Sequence, residues 1–445
     1  MKITFIRPHL TTIRAADALE PLVFGLLANL TPPDVELALY DDRIEPIPYD
    51  EPTDLAALTV ETFTAKRAYQ IAAQFRQRGV PVVMGGYHPT LLPEEAGQYA
   101  DAIAVGDAET TWPQIVADAR AGKLQAVYRS EPNLNLEGVA PRRSLFKGKR
   151  YGPLRIVQFG RGCRFACDFC SIHAFYGKST PRRCMTDVLA ELEELRGQFV
   201  FFADDNLLTD KQQAEALFKA LKPLNIHWAC QISLDIVQNP RLLDLMGESG
   251  CLGALIGFES LEEANLAQMK KKWNTQQGNY ADALAQLYAR GIMIFGSFVF
   301  GYNHDTPETF DRTLDFALRS KLALAQFNSL YPMPGTPLYE RLQREGRLRF
   351  ERWWLDDAYR YGETLFQPKN MSPDQLRDGI IRLRREFNTY GAIARRMLEP
   401  RSNARSLHHL FAYLMVNMVT KKEIRNKQGE PLGDGSALVP RGTSA

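Results

Sequence analysis

Three cysteines within one short stretch constrain this 445-residue chain more than any other feature. Cys163, Cys167 and Cys170 are spaced C-x3-C-x2-C and directly follow the apolar, strand-like run Leu154–Phe159. A complete iron–sulfur cluster normally takes four thiolates, and no fourth cysteine is evident close to the triplet. The triplet therefore predicts a 4Fe–4S cluster in which one iron is left open for another ligand.

A structural zinc site is the alternative that the same residues allow, with His173 as a fourth ligand. Structural zinc ligands usually come as two separated pairs, however, and the chain has no second pair of closely spaced cysteines. Cys184, Cys230 and Cys251 are scattered and are predicted to be buried thiols. This cysteine usage fits a reducing cytoplasm better than a disulfide framework.

Phe169, the aromatic residue just before the last cysteine, completes a pattern that resembles the radical S-adenosylmethionine (SAM) superfamily. The resemblance implies that Cys163, Cys167 and Cys170 are the catalytic cluster ligands, and that the open iron chelates the amino and carboxylate groups of SAM. Electron transfer from the cluster then breaks a carbon–sulfur bond and releases a 5′-deoxyadenosyl radical. An external one-electron reductant of the flavodoxin or ferredoxin type is implied as a partner.

The composition is that of an ordinary globular protein, with 45% hydrophobic and 24% charged residues, and the length predicts two or three domains. A formal net charge of +2 gives no electrostatic case for nucleic acid. No run reaches the roughly 18 apolar residues that span a bilayer, and the first residues read as a strand rather than a secretory segment. These observations predict a cytoplasmic location.

Residues 1–135 alternate strand and helix signals, which predicts a doubly wound, Rossmann-like parallel sheet. The ligand crevice of such a sheet lies at the carboxyl ends of its strands. The strand and helix candidates are Ile3–Ile6, Glu36–Tyr40, Leu55–Val60, Lys66–Arg78 (helix), Pro81–Met84 and Ala102–Val105. The residues expected on the crevice edge are Thr59, Gly85, Gly86, Tyr87, His88 and Gly106.

This segment resembles, over about residues 1–120, the cobalamin-binding-type domain found ahead of many radical SAM cores. The resemblance rests on GGYHPTLLPEE (Gly85–Glu95) and VGDAE (Val105–Glu109), and it implies that the edge residues hold cobalamin. The chain lacks the Asp-x-His-x-x-Gly signature that supplies a cobalt-ligating histidine elsewhere, and radical SAM relatives often lack it too. A domain that has lost its cofactor would give the same pattern, and a lone histidine such as His88 is more often structural.

After a linker over residues 136–152, residues 153–338 carry six strand candidates separated by helical patterns. Thr209, Asn239 and Thr306 are predicted helix starts, and Gly197 and Gly291 fit helix ends. Six β/α units predict a partial (β/α)6, TIM-like barrel that is open on one side, with its chemistry at the strands' C-terminal ends. The strand candidates are Leu154–Phe159, Phe199–Phe202, His227–Ile232, Leu252–Phe258, Met293–Phe300 and Ala325–Leu330.

Residues 339–434 are rich in helix formers and resemble the helical C-terminal extension of a subset of these enzymes. We expect this extension to cover the open side of the barrel and to contribute to the substrate pocket. Residues 435–445, GSALVPRGTSA, resemble an engineered linker with a protease site and are set aside as a tail.

Candidate SAM contacts follow successive barrel strands. Asp204, Asp205 and Asn206 end the second strand, where the resemblance implies contact with the SAM ammonium group; the alternative is that they begin a turn. Gln231 and Ser233 end the third strand and Glu259 the fourth, and these positions are implied for the ribose and methionyl end of SAM. A carboxylate suits a ribose diol because it can accept two hydroxyl protons.

Glycine-containing turns supply the candidates for the adenine side, since glycine lets the backbone approach a flat ring closely. They are Gly296, Gly301, Pro334, Gly335 and Thr336. Arg161 and Arg164 flank the cysteine loop and are candidates to stabilise the reduced cluster, although solvated arginines are commoner. Aromatic candidates for substrate or corrin contact are Tyr176, Tyr302, Tyr331, Trp353 and Trp354.

The resemblances together imply cobalamin-dependent methylation of an unactivated carbon of a small molecule or lipid. One SAM would supply the methyl group through cobalamin, and a second would supply the radical. Within the same superfamily, transfer of a 3-amino-3-carboxypropyl group, or radical cyclisation or rearrangement without cobalamin, remains open. The alternative from another class is a non-catalytic cobalamin- or metal-dependent binding protein. The apolar stretch Leu407–Thr420 ahead of Lys421 and Lys422 also leaves peripheral membrane contact open, although such stripes are more often core packing.

Overall fold

The computed structural model describes residues 1–15, 17–131, 134, 136–277, 279–424 and 426–442. These residues form two six-stranded parallel sheets and a set of C-terminal helices. The strands of the first sheet are β1 (Lys2–Arg7), β2 (Glu36–Asp41), β3 (Leu55–Thr59), β4 (Val82–Gly85), β5 (Ala102–Val105) and β6 (Val127–Arg129). Those of the second are β7 (Leu154–Val157), β8 (Phe199–Phe202), β9 (His227–Ile232), β10 (Cys251–Glu259), β11 (Met293–Phe300) and β12 (Leu324–Ser329).

Sixteen α-helices connect and follow these strands within the described residues. The first eight are α1 (Leu22–Asn29), α2 (Ala65–Gln77), α3 (Tyr87–Leu91), α4 (Pro93–Ala96), α5 (Trp112–Arg120), α6 (Ser171–Tyr176), α7 (Met185–Glu194) and α8 (Lys211–Leu221). The others are α9 (Pro240–Glu248), α10 (Glu263–Gln268), α11 (Tyr280–Ala289), α12 (Pro307–Arg319), α13 (Pro337–Arg344), α14 (Pro373–Phe387), α15 (Tyr390–Met397) and α16 (Leu407–Glu423). Short 3-10 turns span Thr62–Thr64, Arg143–Phe146, Lys222–Leu224, Leu234–Gln238 and Lys272–Gln277.

The first sheet has the strand order β2-β1-β3-β4-β5-β6 and is doubly wound, as the sequence predicts. Its strands are apolar on both faces because helices bury both: α1 and α5 cover one face, while α2 and α4 cover the other. The strand order reverses at β1, between its neighbours β2 and β3. A crevice therefore opens at the carboxyl ends of β1 and β3, where such sheets bind ligands.

The second sheet runs β7 to β12 in chain order, which is the arrangement of a barrel that does not close. Alternate residues of each strand pack outward against the helices; on β9 these are Trp228, Cys230 and Ile232. The predicted partial barrel is thus confirmed, and β7 and β12 are its free edges. The domain boundaries inferred from the sequence stay predictions.

Two of the three helix N-caps predicted from the sequence are confirmed. Asn239 caps α9 by accepting the Leu242 N–H, and Thr306 caps α12 through a capping box. The prediction that Thr209 caps α8 is wrong by one residue, because Asp210 accepts the N–H groups of the first turn. A carboxylate oxygen is the stronger acceptor at a positively polarised helix end.

The C-terminal helices pack on the outside of the barrel. Helix α14 lies against α12 and β12, with Phe387 on Phe327, and α16 lies at the amino ends of the barrel strands, where Phe411 stacks on Phe199. Within the described residues, no helix combines the length and apolar character needed to cross a membrane.

Two other C-terminal segments contact the N-terminal sheet domain. The stretch around Trp353 and Trp354 joins the core beneath α2 and α4. The segment set aside as a tail also packs there: the Gln70 amide donates to the Ser436 carbonyl at 2.7 Å, and Leu438 contacts the same core.

Candidate functional site

The cysteine loop leaves the carboxyl end of β7 and is anchored by Asp204, just beyond β8. Asp204 Oδ1 accepts the Phe159 N–H at 2.8 Å, and Oδ2 accepts the Gly160 N–H at 2.6 Å. Burial raises the pKa of Asp204 to about 7, although these two N–H donors and Arg182 oppose the shift. This carboxyl group, predicted to contact SAM, therefore fixes the first turn of the loop with both of its oxygens.

The next two residues bring the predicted SAM contacts against the loop. Asp205 Oδ2 accepts the Gly162 N–H at 2.7 Å, and the Gln231 side chain donates to the Asp205 carbonyl at 2.7 Å. The Asn206 amide nitrogen lies 3.7 Å from the Cys163 sulfur. The ends of β8 and β9 and the first cysteine are thus one hydrogen-bonded unit.

Ser233 extends this unit toward the surface. Its hydroxyl accepts from Asn206 at 3.2 Å and donates to Asp235 at 2.5 Å. Asp235 in turn forms ion pairs with Arg164 and Lys211. The Arg164 charge is therefore compensated by a carboxylate, which weakens it as a source of positive potential for a reduced cluster.

The three thiols lie close enough to interact electrostatically. Burial, with Cys163 and Cys170 adding to it, raises the pKa of Cys167 to about 12, against the opposing charge of Lys271. Burial also raises the pKa of Cys170, while the backbone N–H groups of Ile172 and His173 oppose the shift by donating to its sulfur. Cys167 and Cys170 thus resist ionisation, and a cationic centre would hold them as thiolates.

These residues fit a polynuclear cluster. Among the described residues, no three His, Cys, Asp or Glu side chains converge closely enough to hold a single metal ion. A 4Fe–4S cluster does not require such convergence, because each thiolate binds a different iron. Backbone N–H donors at Cys170 are also the kind of outer contact that tunes cluster potentials.

Asp168, whose role carried no signal in the sequence, fixes the middle of the motif. It is 2% exposed and accepts from the Tyr302 hydroxyl at 2.6 Å and from Arg341 at 2.6 Å. The Asp168 N–H also donates to the Met269 carbonyl at 3.2 Å. Tyr302, a candidate for substrate or corrin contact, is buried in this network and meets Phe169 edge to face.

Glu259 closes the site from the end of β10. Its backbone adopts φ 63°, a left-handed conformation that a non-glycine residue rarely takes without a functional or packing reason. Its Oε1 accepts from the buried Lys271 ammonium at 2.8 Å. Both side chains affect the pKa of Cys167, so the predicted SAM-binding carboxylate lies beside the cysteine loop.

A cavity of about 390 Å³ lies at the carboxyl edge of the first sheet. Of the six residues predicted at this edge, all but His88 line the cavity. The five lining residues are Thr59, Gly85, Gly86, Tyr87 and Gly106. Gly86 and Gly106 have φ 106° and 86°, so their left-handed turns favour glycine.

The opposite wall of the cavity comes from the barrel. It includes Gln158, Arg161, Phe175 and Tyr176, which lie on either side of the motif cysteines in the chain. The Phe175 ring lies 4.7 Å from Tyr87 and 4.6 Å from Tyr176, centroid to centroid. The cavity of the first domain and the cysteine loop of the second thus share one aromatic wall.

Arg161 joins the two domains at this wall. It is 7% exposed and pairs with Asp107 at 2.7 Å and with Glu109. Burial opposes ionisation of Glu109, but the Arg161 charge lowers its pKa; at Asp107, burial outweighs Arg161 and raises the pKa. Both carboxylates belong to the VGDAE segment, whose role as the docking partner of the cysteine loop carried no signal in the sequence.

His88 is not brought to the cavity. Its ring is fully buried, and Nε2 lies 2.9 Å from the Tyr69 hydroxyl and 3.1 Å from Glu95. The Trp354 indole donates to the same carboxylate at 2.9 Å. His88 therefore belongs to a structural network.

Several other candidates have structural roles. The Trp353 indole is buried and donates to the Pro332 carbonyl at 3.0 Å, and Thr336 caps α13 by accepting the Tyr339 N–H at 3.3 Å. Tyr331 meets the Phe63 ring edge to face at 5.1 Å.

The glycine candidates are confined by neighbouring side chains. A Cβ on Gly296 would lie 2.8 Å from Leu322, on the helix side of the sheet, and one on Gly301 would lie 2.6 Å from Phe366. Gly335, in the turn after Pro334, approaches Leu91 of α3. Side chains of the protein therefore lie close to each of these glycines. The predicted contact of the glycines with adenine stays a prediction.

Comparison with known proteins shows the family to which the chain belongs. A family model described as the radical SAM superfamily matches residues 157–317, the barrel and its cysteine loop. The chain is 32% identical over 390 residues to bacteriochlorophyllide d C-12(1)-methyltransferase from Chlorobaculum tepidum, covering 85% of this chain and 84% of the relative. The chain belongs to the radical SAM superfamily.

A second relative and a solved structure are also similar to this radical SAM enzyme. Bacteriochlorophyllide d C-8(2)-methyltransferase from Chlorobaculum tepidum is 28% identical, over 78% of this chain and 83% of the relative. The structure of the radical SAM methyltransferase TsrM from Kitasatospora setae, with cobalamin and a [4Fe-4S] cluster bound, has a TM-score of 0.63 at 16% identity, covering 77% of this chain and 75% of that one. At that identity the similarity shows a common fold. Family membership confirms the 4Fe–4S cluster and SAM as cofactors, and the chain is a radical SAM enzyme of the methyltransferase-like group.

Proposed function

We propose that this radical SAM enzyme is a cobalamin-dependent methyltransferase that methylates an unactivated carbon of a small molecule or lipid in the cytoplasm. One observation carries the proposal: the cavity of the doubly wound domain and the cysteine loop share the wall of Tyr87, Phe175 and Tyr176. When bound, the cluster with SAM would supply a hydrogen-abstracting radical, and cobalamin would relay the methyl group. Both reactive species need one closed space that excludes water.

The residues around the cavity fit cobalamin. No histidine is found among the described residues that line it, and His88 is held elsewhere by Tyr69 and Glu95. Cobalamin would therefore bind without an imidazole from the cavity wall. Gly85, Gly86 and Gly106 have no side chains that project from this edge, so a large flat ring can approach the backbone.

The chain's own residues would orient the reacting groups. Asp204 and Asp168 hold the cysteine loop at its start and its centre through hydrogen bonds with defined partners. Asn206, Gln231, Ser233 and Glu259 would then contact SAM around the open iron. An external reductant of the flavodoxin or ferredoxin type would supply electrons.

The names of relatives guide the choice of substrate. The two bacteriochlorophyllide methyltransferases share most of their length with this chain, and a hopanoid C-2 methylase from Rhodopseudomonas palustris is 28% identical over 60% of it. All three names refer to large, mainly apolar molecules. Bacteriochlorophyllides are therefore the first substrates to test, and a polycyclic lipid is the second.

The experiment separates the two cofactor sites. Thr59 lines the cavity at the end of β3, so Thr59→Phe should fill it and lower bound cobalt by about fivefold or more in protein purified anaerobically with added cobalamin. Iron per chain should stay at the parent level, because Thr59 lies in the other domain. Cobalt-free parent protein, or unchanged cobalt in the variant, would contradict the assignment of the cavity.

A further inference from the structure

The surface of α16 is unusual for this chain. Of nine large apolar side chains that are strongly exposed among the described residues, seven fall within residues 390–419. Leu407, Phe411, Leu414 and Met418 are 83%, 55%, 40% and 44% exposed. Their spacing of four, three and four residues puts them on one face of the helix, and we call them the apolar stripe.

The stripe is not the result of a loosely placed helix. The other face of α16 is fixed by buried polar side chains: the Tyr413 hydroxyl donates to the Ile393 carbonyl at 2.7 Å, and the Asn417 amide donates to the Ala323 carbonyl at 3.0 Å. His409 Nε2 lies 2.8 Å from the Gly291 carbonyl. Since these contacts set the rotation of the helix, its apolar stripe faces outward in the folded protein.

Charge is concentrated around the same helix. Residues 384–422 contain eight Lys and Arg but two Asp and Glu, a formal charge of +6 in a chain whose total is +2. The rest of the chain is therefore net −4. One of the two acidic residues, Glu399, is buried and paired with Arg401. The exposed basic residues are Arg385, Arg395, Arg401, Arg405 and Lys422.

We propose that the apolar stripe and its basic surroundings dock this enzyme on an anionic lipid bilayer. A helix that exposes a row of Leu, Phe and Met side chains, with Lys and Arg around it, can bind the headgroup region by apolar insertion and by attraction to anionic lipids. A second copy of this chain fits less well. A symmetric contact through the stripe would bring two segments of charge +6 together.

The position of the stripe suits a tether and not an electron-donor site. Phe411 stacks on Phe199, the first residue of β8, and His408 lies 4.2 Å from His227, the first residue of β9. The cysteine loop lies beyond the opposite, carboxyl end of β7 and beside Asp204. A bilayer on α16 would therefore leave the cluster side free.

Flotation of the full-length protein with lipid vesicles tests this proposal. Vesicles of phosphatidylcholine with about 30% phosphatidylglycerol should carry the parent protein, and binding should fall about tenfold or more on pure phosphatidylcholine or in high salt. Leu407→Ser with Phe411→Ser should weaken binding about tenfold, and so should Arg395→Gln with Arg405→Gln and Lys422→Gln. The matched control is Val127→Ser, which removes a 40% exposed apolar side chain from β6 and should bind like the parent.

Iron content and the circular dichroism spectrum of each variant establish that it is folded, and Leu407→Ser alone replaces the double variant if that one does not fold. The proposal would be overturned if the parent protein did not bind anionic vesicles. It would also be overturned if the apolar and charge variants bound these vesicles as well as the parent does. A dimer that the Leu407→Ser variant dissociates, without vesicle binding by the parent, would assign the stripe to a second copy and would also overturn it. None of these outcomes depends on the proposed methyl transfer.

Discussion

Arg161 lies two residues before the first motif cysteine and donates to Asp107 across the domain boundary at 2.7 Å. The same guanidinium pairs with Glu109 and with Gln158, so four polar groups meet where the cysteine loop touches the N-terminal cavity. This contact sets the distance between the two predicted cofactor sites. A small change here would separate groups that must act in one closed space.

Replacing Arg161 should therefore destabilise the protein. Arg161→Met would leave Asp107 and Glu109 buried without their cation, which typically costs about 3 kcal/mol or more. Arg120→Met is the control, because its pair with Asp34 is 45% and 67% exposed and should contribute less than about 1 kcal/mol. Urea unfolding gives the free energy of unfolding of both variants. Equal losses of this free energy in the two variants would show that the Arg161 contact does not hold the domains together.

The cysteine triplet should be required for the cluster, whereas the other cysteines should not. Cys167→Ala removes a thiolate from the motif and should abolish most bound iron in anaerobically reconstituted protein. Cys184→Ala is the matched control, because Cys184 lies outside the triplet and its sulfur contacts Thr186. Iron and sulfide analysis distinguishes them. Full iron content in Cys167→Ala would place the cluster elsewhere.

Glu95 should make stability depend on acid pH. Burial opposes its ionisation, but hydrogen bonds from His88, Trp354 and Arg352 lower its pKa from 4.5 to about 2. A carboxyl group whose pKa is depressed by folding stabilises the protein above its unfolded pKa, and this contribution is lost as the pH falls toward the folded value.

Glu95→Gln should thus lower the free energy of unfolding by about 2–3 kcal/mol at pH 7. This difference from the parent should shrink below about pH 4.5. Glu94→Gln, at the exposed neighbouring position, should change stability by less than about 0.5 kcal/mol. Chemical unfolding at several pH values measures both variants. A difference that stays constant down to pH 3 would rule out this source of the pH dependence.

SAM affinity should depend on Glu259. Glu259→Gln removes the carboxylate proposed for the ribose and breaks its pair with Lys271, so the Kd for SAM should rise about tenfold. Glu262→Gln, three residues later and paired with Arg312 at the surface, is the control. Equilibrium dialysis with iron-loaded protein gives both constants. Unchanged affinity in Glu259→Gln would remove this residue from the SAM site.

Strand positions followed closely from the sequence, because parallel strands covered on both faces are continuous apolar runs. Phe199–Phe202, His227–Ile232 and Met293–Phe300 have the predicted bounds, and β12 is shifted by one residue. The cysteine spacing likewise predicted the cluster loop, since three thiolates at short intervals leave few alternatives. These signals are local in the chain.

Contacts between distant segments were not predictable in the same way. The pairing of Arg161 with Asp107 and Glu109 joins residues more than 50 positions apart. Similarly, Trp354 was a candidate for substrate contact, but its indole donates to Glu95, 259 residues away. An aromatic or charged residue has the same local pattern whether it faces a ligand or a distant carboxylate, so only the fold distinguishes the two.

The products of SAM cleavage test the central claim most directly. Reduced protein that carries iron and cobalamin should convert SAM, with a bacteriochlorophyllide acceptor, to both S-adenosylhomocysteine and 5′-deoxyadenosine. Methylthioadenosine as the main product would indicate transfer of an aminocarboxypropyl group, and no cleavage of SAM would indicate a binding protein. Either result would contradict the proposed methyl transfer.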